Sequence, residues 1–494
     1  MLRTQQLTFS LEHGRLYELI PKDHLLKRIA AVVDFSFANE KFADSYCRYY
    51  GRPAKEPALM LKLLFLQYLN GWSDEEVMAE VQVNLACKWF VGLNPEDVLP
   101  DPSVLSRFRT QRIAKTEESV QQILDAVVQQ CVERGLIKQN RLIADATHVV
   151  ADTKLHRPLD VFRAMAKKII RAMRKHHPDK AAAVSELPET EQLSRVDAGD
   201  VLVAHLEKIV DQVKANVTTV KGPLGECIRK AEKLLADDKR LQTNGPTSEE
   251  DLDARIGHKT KEQLFFGYKA HVSMVEGDEI ITGCNVTAGN AVDGKQLPSL
   301  VEQTDRNGVE VNELLADAAY GSQLNLEMLE AREVTAYIPV NPAAYTSLPD
   351  GFEYNKDSDE MMCPAGHPSY RHSRFTAGNK TGRGGDTYYF NPEICAACPL
   401  REGCYKGQKT GKSITVSDPH PAQEAAKQRQ NSEQGKAIYR RRSVIEHKLA
   451  ELKRFCGMQR ARYRSFLRVY LQVIMACVVA NAKRMAKLST PKVA

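Results

Sequence analysis

The chain has 494 residues, 43% hydrophobic and 27% charged, with 69 basic against 63 acidic side chains. Those values belong to a globular protein of two or three domains and exclude disordered, collagen-like and disulfide-dense classes. A net charge of +6 is too small to demand a nucleic-acid partner, so its distribution matters more than its sum.

In chain order, residues 1–135 read as an all-α N-terminal domain. Its start, MLRTQQLTFSLEHG, has no apolar signal core, and the 11 cysteines are odd in number and scattered. A reducing, cytoplasmic setting is expected. Pro57–Asn70 is apolar nearly all round, as a central bundle helix should be. Ser73 and Glu76 form a capping-box pattern. Ser103 is placed to cap a basic helix, Val104–Ile113, whose Arg107, Arg109 and Arg112 suit either DNA contact or a solvated face. Composition alone favours the solvated face. Trp72 and Trp89, the only tryptophans, both fall in this region.

Arg141–Asp152 is a short strand rich in Ile, Val and Thr. Residues 155–250 return to helical periodicity, basic at first and acidic later. Phe265–Met274 and Glu279–Thr287 form an antiparallel hairpin across a Glu-Gly-Asp turn. A helix at Leu297–Asp305, a strand at Glu313–Ala316, a helix at Gln323–Ala331 and a strand at Val334–Val340 follow. Residues 342–430, rich in Gly, Pro, Cys and Tyr, read as an insertion. Glu433–Phe455 is a long helix ended by Gly457. A final apolar helix covers Phe466–Lys487; its apolar stretch, Leu471–Ala482, is too short to span a bilayer and reads as buried. Strands alternating with helices define an α/β class.

Asp145 stands in a strand where propensity disfavours it. Asp317 ends another strand, where α/β folds place ligand groups. Either residue alone could be a cap. Tyr439, Arg442, Glu446 and Lys453 lie at offsets 0, 3, 7 and 14. On one continuous helix they share a stripe about 60° wide. Arg442 and Glu446 would pair on a solvated face, but that leaves Tyr439 unexplained.

The spacing Tyr439-x2-Arg442-x3-Glu446-x6-Lys453 resembles the Y(2)R(3)E(6)K signature of bacterial insertion-sequence transposases of the DDE class. Leu142–His148 resembles their first-Asp strand, and Asp317-Ala-Ala-Tyr320-Gly321 their second-Asp segment. Tyr268-Lys-Ala-His271 resembles the hairpin between. The N-terminal region and the Cys-bearing insertion are similar to those of the insertion sequence 1182 group.

The resemblance implies an RNase H-like catalytic core over residues 136–490, interrupted by a helical insertion (155–250) and a Cys-rich insertion (342–430). The 1–135 domain would bind DNA. Asp145, Asp317 and Glu446 would hold two Mg²⁺ or Mn²⁺ ions, since hard cations take carboxylate oxygens. Tyr439, Arg440, Arg441, Arg442 and Lys453 would contact DNA. The partners implied are double-stranded transposon ends and target DNA, bound by a dimer in a bacterial cytoplasm at the nucleoid. A metal-dependent nuclease, or a non-catalytic DNA-binding derivative, is the alternative.

Cys363, Cys395, Cys398 and Cys404, with His367 as a fifth candidate, cluster densely around the turn Cys395-Ala-Ala-Cys398-Pro; in a reducing compartment this favours structural zinc over a disulfide or unligated thiols, although the 31-residue gap is looser than a standard finger. Tyr370, Arg371, Arg374, Lys380, Arg383, Tyr388 and Tyr389 in the same insertion suit either DNA contact or a stabilising role. Gly407-x3-Gly411-Lys412-Ser413 is one residue short of a phosphate-binding loop and is rejected. His148 and His156 match no metal-ligand spacing. Tyr439–Arg468 holds 10 basic and 2 acidic residues, a local +8 that exceeds the net charge of the chain. Strongly salt-dependent DNA binding is expected from it.

Overall fold

The computed structural model describes residues 11–490 apart from 48–52, 243, 260–262, 341–348, 350, 356–357, 359, 377–383, 406–410 and 418–420. Two compact units result: residues 1–311 with 443–494, and residues 312–442.

The larger unit opens with eight helices: α1 (Leu11–Glu18), α2 (Leu25–Ala30), α3 (Phe37–Lys41), α4 (Pro57–Asn70), α5 (Asp74–Val83), α6 (Leu85–Val91), α7 (Pro102–Phe108) and α8 (Glu117–Glu133). The central bundle helix is α4, buried from Pro57 to Tyr68 except at Lys62. Its end is fixed by Gly71 at φ +78°, a left-handed cap that a Cβ would strain. The Ser73–Glu76 capping box forms as read. The basic helix differs. Asp101, not Ser103, caps α7 by accepting from the Ser103 N–H, and Arg109–Ile113 is a π-helical turn. Pro102 at the first helical position favours that earlier start.

Strand β1 (Arg141–Val150) is followed by the helices α9 (Pro158–His176), α10 (Arg195–Asn216) and α11 (Gly222–Leu235). These three enclose a core of their own, with Phe162, Ile169, Leu206, Ile209 and Leu234 among its buried members. β2 (Arg255–His258), β3 (Leu264–Val275), β4 (Ile281–Ala288) and α12 (Leu297–Arg306) come next. β3 pairs antiparallel with β1 along one edge, Asp145 opposite Val272. Along its other edge β3 takes β2 and then β4. The predicted hairpin is therefore present; β2 escaped the sequence reading because four residues carry no periodicity.

The smaller unit contains β5 (Glu313–Leu315), α13 (Gln323–Ala331) and β6 (Thr335–Tyr337), with β5 and β6 parallel. Its Cys-rich part holds β7 (Glu353–Asn355), β8 (Glu360–Met362), β9 (Arg371–Phe375), β10 (Gly385–Tyr389), α14 (Pro392–Ala397), α15 (Arg401–Cys404) and β11 (Ser413–Ser417). β9, β10 and β11 form an antiparallel sheet over Phe352, Met361, Tyr388, Phe390 and Ile414. α16 (Pro421–Asn431) and α17 (Glu433–Tyr439) complete the unit, and Arg429 Nε donates to the Ala336 carbonyl at 3.1 Å. Lys380 and Arg383 lie outside the described residues, as does Gly407.

The chain then returns to the larger unit as α18 (Ser443–Phe455) and α19 (Phe466–Leu488). The single helix read over Glu433–Phe455 is in fact α17, a 3₁₀ turn at Arg440–Arg442, and α18. Three consecutive arginines repel one another, and the tighter 3₁₀ turn changes their angular spacing from 100° toward 120°. α19 is apolar and long enough to cross a membrane, yet it is buried from Val469 to Ala482. Asn481 both accepts from and donates to the Ile281 backbone, and the Tyr470 hydroxyl reaches Gln121 and the Cys284 carbonyl. These bonds satisfy polar groups that would otherwise be costly inside a core.

Candidate active site and nucleic-acid interface

Asp145 sits mid-strand in β1, half-buried, and its carboxylate accepts from the Ala146 N–H at 2.8 Å. Residues 142–150 pair without a register shift. Strand alternation therefore sends Asp145 and Thr147 to one face and Ala146, His148 and Val150 to the other. Asp317 follows β5 by one residue and caps a 3₁₀ turn, accepting from the Ala319 N–H at 2.9 Å. The capping role read as the plain alternative for Asp317 is thus real. It leaves the second carboxylate oxygen outside that bond.

Glu446 lies exposed in the first turn of α18; α18 packs against β1, and Ile445, Leu449 and Leu452 are on its buried side. Glu446 and Lys453 are seven residues apart on one uninterrupted helix, so they share a face to within about 20°. Tyr439 and Arg442 belong to the segment before. There the Arg442 guanidinium stands 6.0 Å from the Tyr439 ring centroid. A 3₁₀ turn at Arg440–Arg442 lies between Tyr439 and α18.

Beside β1, mainly on the His148 face but reaching Thr147, a cleft of about 660 Å³ opens between the strand end, the β2–β3 hairpin and α18. Its walls include His148, Lys259, Phe265, Lys269, Lys453 and Arg454. The His148 and Phe265 rings lie 5.1 Å apart. Burial, with help from the Lys453 and Lys259 charges, lowers the His148 pKa to about 4. Burial and then Lys259 lower that of Lys453. Lys269 is different: it pairs with Asp293 at 2.7 Å. Sequence reasoning found Lys453 but missed Lys259 and Arg454, because only the hairpin closure brings Lys259 to the helix.

The basic segment Tyr439–Arg468 is less available than its count suggests. Arg460 pairs with Asp152 at 2.8 Å and Arg464 with Glu250 at 2.6 Å. Arg462 donates to the Trp72 carbonyl at 3.0 Å, and buried Lys448 pairs with Glu451 at 2.7 Å. In the N-terminal region Arg109 is neither solvated nor presented. It is buried, makes a two-bond pair with Asp74 at 2.9 and 2.8 Å, and stacks 4.5 Å from the Tyr463 ring centroid. Arg112 lies over Tyr46 at 4.4 Å and donates to the Ser45 carbonyl. Arg107 is exposed and donates within its own helix to Ser103.

In the smaller unit, Cys363, Cys395, Cys398, Cys404 and His367 line one small cavity of about 40 Å³. Burial, and then the neighbouring thiols, push the Cys404 thiol up against the opposing effect of Lys412. Among the described residues, no three His, Cys, Asp or Glu side chains form a group that could hold a metal ion as they stand. On the β9–β11 sheet, Arg371 stacks over Tyr389 at 4.4 Å and Arg374 pairs with Asp386 at 2.7 Å. His156 lies 3.4 Å from Glu249.

Residues 14–111 match the family model described as a transposase domain (DUF772). Residues 229–482, just over half the chain, match the model described as the transposase DDE domain. Asp317 and Glu446 fall inside the second match and Asp145 between the two. No curated protein matches the chain. Among solved structures, the chain aligns with a piggyBac transposase synaptic complex with hairpin DNA, at 10% identity and a TM-score of 0.29. That alignment covers 96% of this chain and 79% of the other.

Proposed function

The chain belongs to the DDE transposase family, and from that premise we propose that it cuts DNA at transposon ends and joins the freed 3′ ends to target DNA. The observation that carries the reading is the family match over residues 229–482, a span that contains Asp317 and Glu446. Asp145, Asp317 and Glu446 are the proposed metal-binding set, on an RNase H-like core of which β1, β3 and β4 are antiparallel strands.

An all-carboxylate donor set suits Mg²⁺ or Mn²⁺. When bound, two such ions activate the attacking oxygen and stabilise the leaving one in an in-line displacement at phosphorus. The chain's own side chains bind and orient the strand. Lys453 and Arg442 hold phosphates by charge, and Arg440 and Arg441 add to the same field. Tyr439, stacked against Arg442, contacts DNA. Two ends must be held together for joining, which favours a dimer on DNA.

The test uses a labelled terminal-repeat duplex, a target plasmid and Mg²⁺, with Asp145→Ala, Asp317→Ala and Glu446→Ala. Wild type should yield joined product, and each variant should yield neither cut nor joined DNA. Cut product alone from the wild type would make it a nuclease, and binding alone a non-catalytic derivative. Full activity in any one variant removes that residue from the set.

For the cysteine cluster we propose a structural zinc held by Cys363, Cys395, Cys398 and Cys404. Four thiols facing one cavity are the right donors, and closing on an ion requires their deprotonation and a change of rotamer. Metal analysis of purified protein should give about one zinc per chain, and a metal-free preparation of full stability would contradict it.

A further inference from the structure

Several cations of the larger unit are matched by a carboxylate. Arg109, Arg141, Lys168, Arg255, Lys269, Arg460 and Arg464 each have a carboxylate within 3.2 Å. The cleft beside β1 gathers three that are not. Lys259, Lys453 and Arg454 share its lining, and among the described residues none of the three has a carboxylate partner. The one carboxylate in the lining, Asp293, is occupied by Lys269 at 2.7 Å. Lys453 is also half-buried. A partly desolvated ammonium beside two like charges is unfavourable in the free protein, and an entering anion relieves both costs.

Several features decide the kind of anion. The cleft, at about 660 Å³, is far larger than a lone inorganic ion needs and falls in the range of nucleotide-sized sites. The facing rings of His148 and Phe265 supply an apolar wall, as sites for nucleic acid do. Its β1 lining is Ala146, His148 and Val150 from the face opposite Asp145 together with Thr147, while Asp145 itself does not line it. The group bound there lies beside the one met by the Asp145 carboxylate.

We propose that this cleft takes a non-scissile phosphodiester of the bound DNA strand, gripped by Lys259 and Arg454 together with Lys453, against a wall formed by His148 and Phe265. This rests on the transposase reading above. It adds Lys259, Arg454 and His148 to Lys453 as residues that bind the strand.

The test is the double variant Lys259→Gln/Arg454→Gln, with Lys259→Arg/Arg454→Lys as the charge-preserving control. The probe is a duplex DNA of arbitrary sequence. Both side chains are exposed, so the melting temperature should not move. The slope of log affinity against log salt should become shallower by about 1 to 2 in the Gln variant, at roughly 0.9 for each phosphate no longer neutralised. It should stay at the wild-type value in the control. With a transposon-end duplex, KM should rise several-fold while kcat is retained, because binding is weakened equally in ground and transition states. An unchanged salt slope, or a fall in kcat at constant KM, overturns the proposal. Asp145→Ala keeps the cleft and should keep the wild-type slope. If that variant still cleaves, the catalytic assignment fails while the cleft is judged on the slope alone.

Discussion

Two basic regions of the larger unit look alike in composition and differ in what their charges do. Around α7, Arg109 and Arg112 are consumed inside the fold, one by Asp74 and Tyr463, the other by Tyr46 and the Ser45 carbonyl. Around α18, Lys453 and Arg454 meet Lys259 with no carboxylate among the described residues to balance them. The first arrangement holds helices together; the second attracts an anion. Counting basic residues cannot separate the two, whereas tracing each charge to its partner does.

The contrast breaks most visibly at Arg109. Arg109→Ala leaves Asp74 as a partly buried carboxylate without its partner and should cost about 3 kcal/mol of stability, seen as a lower urea midpoint. DNA affinity per folded molecule should hold; a selective loss of affinity at full stability would place Arg109 on the DNA side of the comparison. Lys453→Gln should do the reverse, leaving the midpoint within about 0.5 kcal/mol and reducing the salt slope by about one. Arg464→Gln sits between. Its half-exposed pair with Glu250 should be worth less than about 1 kcal/mol, with a slope change smaller than that of Lys453→Gln.

The smallest effect concerns pH. His148 has a folded pKa near 4, below its unfolded value near 6.5. The unfolded state therefore binds more protons between those values, and the stability contribution of His148 is complete above about pH 6.5 and declines as pH falls toward 4. His148→Gln should flatten that part of the stability profile. Since Lys453 and Lys259 hold the ring neutral alongside burial, DNA in the cleft should raise the His148 pKa. A proton NMR titration showing no rise on binding would blunt the distinction between the two regions.

Much of the scaffold was legible because period and caps agree with the fold. α4, the Ser73 capping box, β1, the β3–β4 hairpin, α12, α13 and α19 all occur where apolar spacing and turn residues point. Asp145, Asp317 and Glu446 stand on the elements expected, a strand, a strand end and a helix. The reading failed where tertiary context overrode local pattern. Asp101 displaced Ser103 because Pro102 starts the helix two residues earlier. The arginine run Arg440–Arg442 took a 3₁₀ turn that uniform helical phase does not foresee. β2 and the strands β7–β11 are too short for periodicity to reveal. Lys259 joins Lys453 only through hairpin pairing, across nearly 200 positions of sequence, beyond any local window.

The placement of α19 has a bearing on when the protein becomes competent. Its buried face contacts α2, α4, α8 and β4, and Tyr470 bonds Gln121 across 349 positions. During synthesis, the apolar surfaces of α4 and α8 have no such cover until residues 466–488 have emerged. At translation rates of about 5–20 residues per second, the N-terminal helices wait on the order of tens of seconds for it. The core of the larger unit therefore closes only once its last helix has been made.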